Sequence, residues 1–372
     1  MKSQEVSSRV WVLIRTLMII GLVAGLATAC GSANSATTAG SGETITITDE
    51  LGRQVEVATP IKAVYPDLWY QAELVRALGA ADTITAVDTT VNPDKNPNNV
   101  EYFADFQGLP DVGHYEQPNW EAIVSSGAEV ALMRRNGPWQ EAIKKLEPFG
   151  IKVVVVTGWD PVVTRKFLPQ LGQLFGKEKE AQDLADLFDD IDGTLKEKLD
   201  GVAQRTAYFE NSADFITSVE GSGWHDALVE GGTANIFGDV KADSSSAAVH
   251  QFEVDPVEII GRNPSVIIHN GVDGQTSGYQ PWTREQMAEQ ARKIAGRSGW
   301  QSIDAVRTKD IYVFNNFFYS ALGKKFGALA VAKWAHPEQF ADVDLDTYFD
   351  RWLASQGVEP RTVGDYYHKY EG

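Results

Sequence analysis

The chain has 372 residues, 33 Lys and Arg against 51 Asp and Glu, a formal net charge of −18 and a single cysteine. At about 100–200 residues per domain the length leaves room for two domains. The acidic balance excludes a nucleic-acid binder, which needs clustered Lys and Arg, and one cysteine excludes a disulfide framework and every Cys-paired zinc motif.

Residues 1–29 read as a secretory signal peptide, with Lys2, Arg9 and Arg15 ahead of an apolar run over 17–26 and the small residues Ala27, Thr28 and Ala29 before Cys30. The run is too short for a membrane span, which needs about 20 apolar residues. Cys30, followed by Gly31, is similar to the lipidated cysteine of a bacterial lipobox, although Ala27 stands where Leu is usual. Residues 30–43, rich in Ser, Thr, Ala and Gly, then form a flexible tether. The expectation is an exported chain, lipid-anchored on the outer face of the cytoplasmic membrane or periplasmic.

From Thr44 the pattern is that of an α/β protein. Strands at 44–48 and 54–57 make a hairpin. A strand at 63–65 leads through a loop to a helix at 69–78, stopped by Gly79. A strand at 83–87, a helix at 120–126, a strand at 129–133, a helix at 139–149 and an apolar strand at 151–157 follow. Residues 44–160 are thus a first α/β lobe. Over 161–200 Phe167, Leu168, Leu171, Leu174, Ala181, Leu184, Leu187, Phe188, Ile191 and Leu195 recur at helical spacing. Gly172 and Gly176 weaken the middle, so this interdomain stretch reads as one long helix or two shorter ones. Residues 201–372 form a second α/β lobe, with strands at 206–209, 215–219, 265–269 and 311–314. Its helices are read at 224–230, 257–261 and 284–295, with a terminal one at 345–356.

Catalytic signatures are absent from the sequence: no G-x-G-x-x-G follows a strand, no G-x-S-x-G occurs, and 172–177 lacks the spacing of a P-loop. Ser222, His225 and Asp226 are neighbours in sequence only, and a triad is defined by geometry. The six histidines show no ligand spacing, so no metal site and no intrinsic cofactor is expected. Aromatic residues instead recur after strands, where open α/β sheets bind ligands. Candidate ligand-binding residues are Trp69, Tyr70, Tyr115, Arg134, Arg135, Trp139, Trp159, Trp224, Tyr279, Trp282 and Tyr319. Aromatic walls with a few charges suit a large flat ligand, and the guanidinium groups of Arg134 and Arg135 suit paired oxygens of a chelate.

Several stretches, in order, carry a resemblance. They are ITITDELGRQVEVATPIKAV, Leu78-Gly79-Ala80-Ala81-Asp82, Pro110-Asp111-Val112-Gly113, Pro118-Asn119-Trp120-Glu121-Ala122-Ile123, Leu171-Gly172-Gln173-Leu174-Phe175-Gly176-Lys177-Glu178 and Asn263-Pro264-Ser265-Val266-Ile267-Ile268. The chain resembles the helical-backbone (class III) substrate-binding proteins of ABC importers, whose ligands are ferric siderophores, haem or cobalamin. The resemblance implies two Rossmann-like α/β lobes joined by a single long backbone helix, with the ligand cleft between them. It implies no enzymatic activity, a monomer, and as partners a membrane permease and its ATPase, met through one acid per lobe. Glu121 fits the first acid. The second falls at Val257, with Glu258 beside it and Glu253 as the fallback. The function expected is capture of a ferric siderophore or related iron chelate. Haem or cobalamin is the alternative within the family, and a secreted enzyme using cleft carboxylates the alternative outside it.

Overall fold

In the computed structural model the described residues are 43–96, 100–242, 247–275, 279–319 and 321–372. The signal, Cys30 and the tether up to residue 42 lie outside them. Among the described residues no helix is long and apolar enough to cross a membrane.

The first half is built on two small sheets. β1 (Glu43–Thr48) and β2 (Gln54–Thr59) pair antiparallel from Glu43↔Thr59 to Thr48↔Gln54, and alternation along β2 buries Val55 and Val57. β3 (Val64–Pro66), β4 (Val130–Met133) and β5 (Lys152–Val155) form a parallel sheet in that order. It is covered by α1 (Trp69–Ala77), α2 (Trp120–Ser125) and α3 (Trp139–Leu146). Asn119 caps α2 by accepting from the Ala122 amide. The expected strand at 83–87 is reduced to single bridges, Val64↔Ile84 and Val87↔Asp111, because a 3₁₀ turn at Ala81–Thr83 occupies its start.

The 161–200 stretch is two helices, α4 (Pro161–Phe175) and α5 (Glu178–Leu199). Gly176 adopts φ +63° and ends α4 in the left-handed conformation, which costs glycine least. The two helices approach so closely that a methyl group on Gly172 would stand 2.9 Å from the Ala181 side chain. The long connector is therefore α5 alone, 22 residues or about 33 Å at 1.5 Å per residue. Its Leu184, Leu187, Phe188, Ile191 and Leu195 face the core.

The second half holds a five-stranded sheet in the order β12-β11-β10-β6-β8, parallel except at its β12 edge. Its strands are β6 (Arg205–Glu210), β8 (Thr233–Asn235), β10 (Val266–Asn270), β11 (Ile311–Phe314) and β12 (Tyr367–Lys369). β7 (Ile216–Thr217) and β9 (Phe252–Glu253) pair beside it, which is all that remains of the strand expected at 215–219. The helices are α6 (Gly223–Glu230), α7 (Pro256–Arg262), α8 (Arg284–Ala295), α9 (Asp304–Arg307), α10 (Gly323–Ala335) and α11 (Leu345–Ser355).

Sequence reading missed α10. Every residue in it except Lys333 is buried, so it has no polar face and no amphipathic period to read. Beyond α11 the chain does not stop at a terminal helix but returns to the sheet as β12. One core cluster runs from the α1 side of the first half through α5 to α10 and α11. A second cluster, around Tyr208, Ile267 and Trp300, fills the other face of the large sheet.

Candidate functional site

The carboxyl ends of the parallel strands in both halves open toward a common mouth, the place where such sheets bind ligands. In the first half β3 runs straight into Asp67, whose amide donates to the Leu132 carbonyl, and then into α1. Asp67 is completely buried and pairs with Arg134, the residue after β4. Burial pushes the Asp67 carboxyl up to about 6 against the pull of Arg134. Asp88, equally buried, is pushed up to about 7 by the same cause, while Thr90 hydrogen-bonds to it. Tyr115 lays its ring 4.9 Å from the Arg134 guanidinium. Gly158 is needed here because a methyl group on it would meet the Tyr70 carbonyl at 2.7 Å.

In the second half the strand ends carry amides. Asn270 Nδ2 donates to Asn211 at 3.0 Å and to Asn316 at 3.4 Å, and Asn211 Nδ2 donates to the His250 carbonyl. Ser222 caps α6, and its hydroxyl lies 2.8 Å from Nδ1 of His250. The His250 ring stands edge-on to Trp159 and to Trp224, with centroids 6.3 and 6.0 Å away. Burial and the charge of Lys324 lower its pKa to about 4, so the imidazole is neutral at ordinary pH.

Two seams join the halves at this mouth. At one, Lys324 of α10 is 9% exposed and donates to the Trp159 carbonyl at 3.2 Å. Its ammonium lies 4.9 Å from the Trp159 ring and 5.7 Å from the Trp224 ring. Among the described residues no carboxylate comes within ion-pair distance of it, and burial lowers its pKa to about 8. Asp160 and Asp226 act on it only from farther away. The cavity here measures about 380 Å³ and is bordered by Trp159, Val162, Gly223, Asp226, Val229 and Lys324. At the other seam Tyr102 of the first half stacks on Tyr279 of the second, with centroids 3.6 Å apart.

Of the residues chosen from sequence, the structure gathers Trp69, Tyr70, Tyr115, Arg134, Arg135, Trp159, Trp224 and Tyr279 at the mouth or its seams. Neither arginine offers a free charge. Arg134 is neutralised by Asp67, and Arg135 is held by Glu50 at 2.6 Å and Asp160 at 3.4 Å while stacking on Trp159. Strand-end acids, invisible as partners in sequence, take up both charges. Trp139 sits behind Arg135, donating to its carbonyl, with Arg53 over its ring. Tyr319 is fully buried behind Trp224, whose indole donates to the Tyr319 carbonyl. Trp282 packs instead against the core around Tyr208 and Ile267.

Glu121 is exposed in the first turn of α2, beside a surface hollow of about 650 Å³ that it shares with Trp120, Lys145 and Phe149. Glu258 is exposed in the first turn of α7 and pairs with Arg262. The sequence reading overlooked Lys324, His250, Tyr102 and Asn270. Strand-end position was the available signal for Asn270, whereas Lys324 and Tyr102 reach the site only through tertiary packing.

None of the curated proteins searched matches this sequence. Among solved structures, the TroA-like periplasmic binding protein FepB from Veillonella parvula superposes with a TM-score of 0.70 at 16% identity, over 88% of this chain and 100% of that one. MolA of Haemophilus influenzae, a molybdate periplasmic binding protein solved with molybdate bound, gives 0.66 at 17% identity, over 85% and 99%. A protein of an ABC-type Fe3+-hydroxamate transport system from Saccharomonospora viridis gives 0.54 at 18%, over 78% and 98%. At such identities these likenesses show a shared fold, that of two-lobed binding proteins. The family model for periplasmic binding proteins matches residues 69–316, more than half of the sequence, and the chain belongs to the periplasmic binding protein family.

Proposed function

We propose that the protein is the receptor of an ABC importer and captures a metal chelate of the ferric-siderophore type in the mouth between its two sheets. One observation carries the reading. Trp159 from the first half and Trp224 from the second stand around a buried ammonium, Lys324, that has no carboxylate partner among the described residues. Aromatic faces suit the rings of a chelate, and an unmatched cation in a dry site attracts its anionic oxygens. The family supports a binding role over an enzymatic one. The fold shared with a protein of a ferric hydroxamate transport system supports the ligand class.

His250 favours haem or another chelate with an open coordination position as the second reading. Its Nδ1 is held by Ser222, and among the described residues its Nε2 has no partner. In the same proposal Glu121 and Glu258 meet the permease, the ATPase drives uptake, and Cys30 carries the lipid that holds the receptor at the membrane.

The test is a titration of the purified protein with a ferric tricatecholate, a ferric hydroxamate, haem, cobalamin and molybdate, followed by tryptophan quenching. Saturable quenching by at least one iron chelate is expected. A flat response to all the chelates would end the importer-receptor reading.

A further inference from the structure

Glu73, in the middle of α1, is 1% exposed. The Tyr102 hydroxyl donates to its Oε1 at 2.8 Å, and Tyr279, from the other half of the molecule, places its hydroxyl beside the same carboxyl. The two tyrosine rings stack at an interplanar angle of 11°, and Phe317 closes on both edge-to-face at 4.9 and 5.0 Å. One turn on, Arg76 ties the same spot to the C-terminal segment. Its guanidinium donates to the Gln356 carbonyl and, at 2.6 Å, to the Tyr102 carbonyl. Gln356 in turn donates to the Glu73 carbonyl, and its Oε1 lies 3.2 Å from the Tyr102 hydroxyl, whose one proton it shares with Glu73. Side chains from the first half, the second half and the C-terminal segment thus converge on one carboxyl whose Oε2 has no hydrogen-bond partner among the described residues.

We infer that Glu73, Tyr102 and Tyr279 form a proton-operated latch across one side of the mouth, closed when Glu73 carries a proton and released when it ionises. Around Glu73 stand Arg76 and Tyr70 on its own helix, Tyr102 on the 100–106 segment, and Tyr279 from the second half. Asp105 lies 3.7 Å from Arg76. Tyr366, with Arg361 and Glu101 beyond it, faces Tyr102. Arg76 is the one cation among these close groups, and its donors are already taken by two carbonyls and shared with Asp105. An ionised Glu73 would therefore sit buried against two phenols with no full counter-charge, which is costly. The proton has a way out. Arg76, Tyr102, Tyr279 and Gln356 all border a cavity of about 870 Å³.

The sign follows from linkage. Closure raises the carboxyl from its ordinary 4.5 to about 8, through burial above all. Between those two values closing therefore takes up a proton. The latch is fully favoured below about pH 4.5, weakens by up to about tenfold per pH unit as pH rises, and loses this contribution once pH passes about 8.

Hydrogen exchange of residues 69–77 and 100–106, corrected for intrinsic rates, tests the latch on the full chain without any ligand. It separates failure of the latch from failure of the transport reading, which the chelate titration decides. In the wild type, protection is expected to fall at least tenfold between about pH 5.5 and 7.5. Glu73→Gln, permanently neutral, should hold the low-pH protection throughout. Tyr279→Phe, which keeps the ring stack, should lower protection while keeping the pH dependence. Identical pH profiles for wild type and Glu73→Gln would overturn the proposal, as would wild-type protection at every pH in Tyr279→Phe. If Glu73→Gln does not fold, the pH profile of the wild type set against that of Tyr279→Phe still decides it.

Discussion

Lys324 shows how a single residue can set stability against function. Its ammonium is buried against two indoles and one carbonyl, and burial depresses its pKa from 10.5 to about 8. Each pKa unit corresponds to about 1.4 kcal/mol, so the charged form burdens the fold at neutral pH. Lys324→Met is therefore expected to stabilise the protein by roughly 1–3 kcal/mol in urea unfolding, while weakening any anionic chelate by tenfold or more. A destabilised variant would show that the ammonium is better matched than its neighbours indicate. The aromatic half of this neighbourhood was legible in sequence, because Trp159 and Trp224 follow strands. The lysine was not, since nothing local marks a charge inside a helix as buried. Arg134 and Arg135 misled for the complementary reason. Their partners Asp67, Glu50 and Asp160 lie 67, 85 and 25 positions away, and such pairing is written in topology rather than in spacing.

Among the elements, α10 was hidden and α5 was only partly resolved. Amphipathic helices such as α8, with its Thr283 and Gln286 capping box, announce themselves by period and cap. A helix buried all round has neither a polar stripe nor a cap to betray it. α10 is also the element on which the second half is packed, because Gly327 lets the Tyr319 ring lie directly on its backbone. Gly327→Ala would drive a methyl group into that ring. It is expected to cost about 1–3 kcal/mol of stability despite the better helix propensity of alanine. It should also shift the fluorescence of Trp224, whose indole is held by the Tyr319 carbonyl. Equal stability of the variant and the wild type would mean that the ring has room to move. The break between α4 and α5 was legible as two glycines, and Gly176, with its positive φ, is the one that ends the helix.

At the scale of the whole molecule, the buried acids give an unusual pH response. Asp67, Asp88 and Glu73 all have carboxyls raised by burial, to about 6, 7 and 8. A raised carboxyl contributes stability below its unfolded pKa and loses it as pH climbs through the folded value. Glu210 runs the other way. Its ties to His269 and Arg297 outweigh burial and hold it at about 2, so its contribution fades only in strong acid. His250, lowered to about 4, favours the fold as pH rises from 4 to its ordinary 6.5 and opposes the acids over that span. Burial raises Asp226 and Glu230 as well and lowers His225 and His368 alongside His250, so five raised carboxyls stand against three lowered imidazoles. Thermal melts are therefore expected to give a higher Tm near pH 5 than near pH 8, by an amount on the order of a few kcal/mol of stability. A Tm that rises steadily toward pH 8 would contradict this. The two-sheet architecture could be anticipated from alternating strands and helices, but which side chains meet across the mouth could not, because those contacts, such as Lys324 with Trp159, join segments far apart in the chain.

The bond from Arg76 to the carbonyl of Gln356 spans 280 positions of the chain. A protein threaded through a membrane N-terminus first would expose α1 and the 100–106 segment long before their last partner emerges. Until residue 356 arrives, Arg76 and Glu73 have no settled neighbours on that side, and the first half waits with its edge unsealed. Under such threading the bond to Gln356 would form late, and that edge of the mouth would be sealed only once residue 356 had emerged.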